Sequence, residues 1–125
     1  MNKFLIFFLF VFNTFLSQEI IINSFDNHKI YGSLLKYEKS KSNLAIIISG
    51  SGPTDRDGNN SSIKGNYLKI LADELYNKGI SSYRFDKRGV AKSLGDLTSA
   101  NQIKFQDFIN DVDEIIKYFI QSKDY

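Results

Sequence analysis

The sequence predicts an α/β fold with parallel central strands. Three observations predict it. Leu44 to Ser49 reads as a strand without polar alternation that runs straight into a glycine-rich turn, Gly50-Ser51-Gly52-Pro53. A helical pattern, a second strand from Ile80 to Phe85 and a longer helical pattern follow in that order. Strand–helix alternation of this kind implies right-handed crossovers and a parallel sheet. A strand lacking alternation suits burial on both faces of such a sheet. With 125 residues, one domain is expected.

Taken in order, the first residues differ from the rest. Lys3 supplies a positive charge, Phe4 to Phe12 is unbroken apolar sequence, and Asn13 to Gln18 places the small residue Ser17 where cleavage would fall. This is the layout of an export signal, so residues 1–17 are read as a signal peptide and 18–125 as the mature domain. Phe15 fits a cleavage site poorly, which keeps an uncleaved anchor as the alternative. The apolar run is well short of the roughly 20 residues that span a bilayer, so no stable membrane span is expected.

Glu19 to Phe25 and Lys29 to Tyr37 are strand-like runs around Asp26-Asn27-His28, whose residue types tolerate a tight turn; together they predict an antiparallel hairpin. Glu38 to Asn43 is a polar surface loop. After the Leu44–Ser49 strand, Leu68, Leu71, Ala72 and Leu75 mark one helical face, with Lys78 in the last turn and Gly79 at the cap. The second helix carries a continuous stripe: Phe105, Phe108, Ile109, Val112, Ile115, Ile116, Phe119 and Ile120. Asp107 and Asp111 near its start and Lys123 near its end complement the helix dipole. Asp113 and Lys117 form an i, i+4 pair on its polar side. A helix with so wide a stripe expects another strand to cover it, so the sheet reads as incomplete.

Composition narrows the function. The net charge of +2 argues for neither nucleic acid nor an acidic partner. The absence of cysteine excludes disulfides, thiolate metal sites and lipidated cysteine. The chemistry therefore rests on the turn. Gly50 and Gly52 let the backbone bend and approach a ligand, and a turn at the carboxyl end of such a strand leaves N–H groups free where open α/β sheets bind ligands. Those donors suit an oxyanion or a phosphate. Phosphate is the weaker reading, because the glycines match no dinucleotide or P-loop pattern and Pro53 lacks an N–H. Asp55, Arg56 and Asp57 are expected to pair within their loop and with Arg84 or Arg88, ordering the rim beside the turn. Asp86 and Arg88, at a strand end, read as part of that network rather than as substrate contacts. Lys87 and Lys92 read as solvated, and His28 as a surface turn residue. A calcium loop fails on spacing, with Gly58 two places early for an EF-hand. No metal or cofactor is expected.

Ile47 to Gly58, Leu71 to Leu75, Lys78 to Ile80 and Tyr83 to Ser93, closed by Asp107 to Val112, resemble the amino-terminal third of an α/β-hydrolase, nearest the bacterial esterase and serine-aminopeptidase-like hydrolases. The resemblance covers nearly all of the mature chain. It implies a β-hairpin followed by β-α-β-α with parallel central strands, and a strand order in which Leu44–Ser49 lies beside Ile80–Phe85. It implies an exported serine hydrolase of esters or small amides, in which the Ser51 backbone N–H, with Gly50 and Gly52 shaping the turn, is one oxyanion donor. The nucleophile of that family sits in Gly-x-Ser-x-Gly, and this sequence has no such motif. The acid and histidine follow the nucleophile in chain order, so the triad is absent too and the chain alone is expected to be inactive. The alternatives are a non-catalytic exported interaction domain and, less favoured, a phosphate- or nucleotide-binding module. The open edge of strand 44–49 is expected to promote self-association.

Overall fold

The computed structural model describes residues 16–97, 100–122 and 124–125. The leader expected over the first residues falls almost wholly outside that range, as does Lys123. The fold is mixed α/β, with one four-stranded mixed sheet and two helices. The elements are β1 (Gln18–Asn23), β2 (Lys29–Leu35), β3 (Leu44–Ile47), α1 (Tyr67–Asn77), β4 (Ser81–Phe85) and α2 (Phe105–Ser122). Short 3-10 turns at Ala91–Leu94 and Ala100–Gln102 bridge β4 to α2.

The sheet order is β1-β2-β4-β3. β1 and β2 are the expected hairpin, paired from Gln18 opposite Leu34 to Asn23 opposite Lys29. Its turn is longer than the sequence suggested. Ser24 N–H donates to the His28 carbonyl, and Asn27 takes the left-handed backbone with φ 63°. β4 runs antiparallel to β2 and parallel to β3, so the chain crosses from β3 through α1 to β4 as expected.

Alternation along the strands sends side chains to two faces, and each helix covers one. α2 packs Ile115 and Phe119 on Ile22, Ile30, Leu34, Tyr83 and Phe85. α1 packs Leu68 and Ala72 on Leu35 and Ile47. All five residues of β4 are buried because both helices lie over it. Gly32 lies on the α2 face, where a Cβ would come within 2.2 Å of the Tyr83 ring, so glycine is required by space at this point.

α1 ends in a Schellman motif: Gly79, with φ 79°, donates to the Tyr76 carbonyl, and Ile80 donates to that of Leu75. Lys78 is the capping residue, one step beyond the last turn expected for it. The start is capped from a distance. Asn66 makes no side-chain cap, and the Asp57 carbonyl accepts from Leu68 and Lys69 N–H instead.

Three expectations about burial need correction. β3 is not sealed on both faces: Leu44, Ala45 and Ile46 are half-buried and only Ile47 is buried, while Ile48, just past its end, is 53% exposed. Leu71 is exposed, because the buried face of α1 is rotated towards Leu68, Ala72, Leu75 and Tyr76. The α2 stripe is only half covered. Asp111, Ile115 and Phe119 face the sheet, whereas Phe105, Ile109, Ile116 and Ile120 are exposed.

Candidate functional site

Beyond the end of β3 the chain enters the turn Gly50–Pro53, whose residues are all exposed. The turn closes on itself: Thr54 N–H donates to the Gly52 carbonyl at 2.9 Å, and Ser49 Oγ to the Thr54 carbonyl at 3.3 Å. Gly52 has φ 87°, a conformation that favours glycine. Gly50 has no such requirement, and a Cβ there would meet open space. Its lack of a side chain leaves room above the turn without bending it.

One face of the turn borders an apolar cleft of about 740 Å³, walled by Ile48, Val90, Ile103, Phe105 and Phe108 and rimmed by Lys87. The Gly50–Ser51 peptide is trans. No acceptor among the described residues takes the Ser51 N–H. Lys87 Nζ donates to the carbonyls of both Gly50 and Gly52, so it is not the solvated lysine the sequence suggested. Burial lowers its pKa, because the charged form loses hydration there.

Away from the turn, three arginines with carboxylate partners tie the strand ends, loops and α2 together. Arg56 is the most elaborate. Its Nε and Nη2 donate to Asp86 Oδ2 at 3.1 and 2.8 Å, and its own N–H donates to Asp86 Oδ1 at 2.7 Å. Its Nη1 reaches Glu19 at 3.2 Å and Ser33 Oγ at 3.3 Å. Burial acts to lower the Arg56 pKa, but the Asp86 carboxylate outweighs it and the net shift is upward. Arg84 Nε pairs with Asp57 at 2.8 Å, which anchors the segment that caps α1. Arg84 Nη1 is buried with no partner among the described residues. Asp55 Oδ1 accepts from the N–H of Asp57 and Asn59, folding its loop into an Asx turn.

Arg88 goes elsewhere than the sequence suggested. It bridges the hairpin turn to α2, donating to Asp26 at 2.6 and 2.9 Å and to Asp111 at 3.1 and 2.7 Å. The hydrogen bonds from Arg88 overcome partial burial and pull Asp26 down to about 2. Asp111 is therefore a buried partner that also accepts from Ser24 Oγ, not a surface charge serving the helix dipole. His28 is half-buried, its Nε2 2.8 Å from the Ser93 carbonyl, so it is a clasp rather than a free surface residue. It lies among neither the turn nor the cleft residues. Lys92 is exposed, as expected, and reaches Glu19 at 2.7 Å.

The structure thus brings Gly50, Ser51 and Gly52 to one cleft with Arg88, whereas Asp55, Arg56, Asp57 and Asp86 gather around a separate polar pocket with Glu19 and Lys92. Sequence reasoning missed Lys87, Glu19, Asp26 and Asp111. A signal existed for Asp111, since it precedes Ile115 and Phe119 by four and eight residues and shares their helical face. Among the described residues no cluster of three or more His, Cys, Asp or Glu could hold a metal, and no helix is long and apolar enough to cross a membrane.

No protein-family model and no curated protein sequence matches this chain. The site's own geometry therefore carries the functional argument.

Proposed function

We propose that this chain is the amino-terminal portion of an exported α/β-hydrolase-type serine hydrolase, acting on carboxylic esters or small amides. In this reading the Ser51 N–H is one of two donors to the tetrahedral oxyanion, and the attacking hydroxyl lies outside this sequence. The observation that carries the reading is the Ser51 N–H, which no acceptor among the described residues takes, in the turn beyond the carboxyl end of β3 and bordering an apolar cleft. A preorganised donor of this kind accelerates acyl transfer because it meets charge that develops only in the transition state. Losing one such donor typically costs on the order of 10²–10³ in rate. The strand order β1-β2-β4-β3 supports the reading, since it is the order the resemblance implies. The buried Arg56–Asp86 pair supports it too, by holding the loop after the turn rigidly against β4.

Small carboxylates present a negatively charged oxygen of the kind the donor would meet, so they test it without needing a nucleophile. Titrating the ¹⁵N-labelled chain with butanoate should shift the Gly50, Ser51 and Gly52 amide signals together and saturably. Unmoved signals at high butanoate would remove the reading. A second test reads the coding sequence beyond codon 125: an in-frame Gly-x-Ser-x-Gly supports the hydrolase, and unrelated sequence supports a non-catalytic interaction domain.

A further inference from the structure

The turn is held from one side by a group that the hydrolase reading does not use. Among the described residues, Lys87 Nζ is the sole donor to the Gly50 carbonyl, and it donates to the Gly52 carbonyl at 3.1 Å as well. In a trans peptide the carbonyl and the following N–H point in opposite directions. Fixing the Gly50 carbonyl on the ammonium therefore fixes the Ser51 N–H away from it. The same logic at Gly52 spends no donor, because the next residue is Pro53. The Gly50 carbonyl would otherwise present its negative dipole end at the rim of the cleft, and the ammonium offsets it; the Gly52 carbonyl also accepts from Thr54 N–H.

We propose that Lys87 is a positioning residue for the Ser51 amide, orienting and polarising the Gly50–Ser51 peptide so that its N–H is presented to an anion. The inference rests on reading the turn as an anion-receiving site. Polarisation follows because a charge-assisted bond to an amide oxygen draws density from the nitrogen and strengthens the N–H as a donor. A positive charge close behind the donor also favours the bound anion in a partly desolvated rim. Lys87 touches neither substrate nor reacting atoms in this account.

The test compares the full chain with Lys87→Met and Lys87→Arg. For each, the Ser51 amide proton shift is measured, then the affinity for butanoate. Lys87→Met should move the Ser51 amide signal upfield and weaken butanoate binding about tenfold or more, with helical circular dichroism unchanged. Lys87→Arg should recover most of both, because a guanidinium can bridge the same two carbonyls. A purely structural lysine would give no upfield shift and no rescue dependent on charge. Should Lys87→Met leave the Ser51 shift and the butanoate affinity at wild-type values, the proposal falls. If the wild-type chain binds no butanoate while Lys87→Met still moves the Ser51 signal, the positioning role stands and the hydrolase reading falls. Should Lys87→Met fail to fold, the wild-type Nζ protons decide: slowed exchange relative to Lys39, exposed in the loop before β3, supports the double carbonyl bond, and equal exchange overturns it.

Discussion

Arg56→Met is the sharpest probe of the buried pair that holds the loop after the turn. The substitution keeps the stem and the main-chain N–H that donates to Asp86 Oδ1, but removes both guanidinium bonds to Oδ2. Asp86 is then left 1% exposed with its charge uncompensated and only the Lys92 N–H near Oδ2, at 3.3 Å. Breaking a buried pair by removing one partner costs about 3–5 kcal/mol. The Glu19 contact adds little, because that carboxylate is solvated. Against a total stability of roughly 5–15 kcal/mol, a loss of this size is a large fraction. With a urea dependence of about 1–3 kcal/mol per molar, the midpoint should fall by about 2 M. Urea titration followed by far-ultraviolet circular dichroism measures it. Arg56→Met combined with Asp86→Asn should recover at least half of the loss, since the buried charge is gone. A loss below about 1 kcal/mol, or a double variant no better than the single, would refute the claim that this pair holds the loop.

Other outcomes follow from separate parts of the fold. Asp26 has its folded pKa depressed to about 2 from 3.8, so its contribution is fully present above pH 3.8 and is lost as pH falls through 2. Because the side chain is 40% exposed, screening reduces that contribution to about 1 kcal/mol, which acid titration of wild-type against Asp26→Asn should show. Gly32→Ala should destabilise the chain by at least about 1–3 kcal/mol, since the methyl meets the fully buried Tyr83 ring; a melting curve like that of the wild type would contradict the close packing there. The free edge of β3 and the exposed Phe105, Ile109, Ile116 and Ile120 should make the chain associate. Light scattering across a concentration series should show this, and Ile109→Glu with Ile116→Glu should lower the apparent mass without loss of helix.

The elements that were legible in the sequence are those whose signals are local. The hairpin, β4 and α2 each carry their own periodicity or turn chemistry, and the Gly79 cap is where its residue type places it. The degree of burial was not legible, because it depends on what lies across from a side chain rather than on its neighbours in sequence. Ile109 and Ile115 look alike within the α2 stripe, yet only Ile115 meets the sheet. Leu71 failed for the same reason: a rotation of α1 by a fraction of a turn exchanges it for Tyr76.

The polar network shows the limit more clearly, and it also explains the site. Arg56 and Asp86 are 30 residues apart, Arg88 and Asp26 62, and Lys87 and Gly50 37. No spacing rule reaches that far, so the composition of the Asp-Arg-Asp and Asp-Lys-Arg blocks announced ion pairs without saying which. The partition that results has a physical logic. Asp86 and Arg88, two residues apart just past the end of β4, are placed by the loop rather than by strand alternation: Asp86 secures the loop after the turn, while Arg88 secures the hairpin turn and α2. Lys87, between them, is left to reach the turn itself. Three consecutive charged residues thereby hold three separate segments, and in the proposed positioning role the middle one sets the direction of the Ser51 amide.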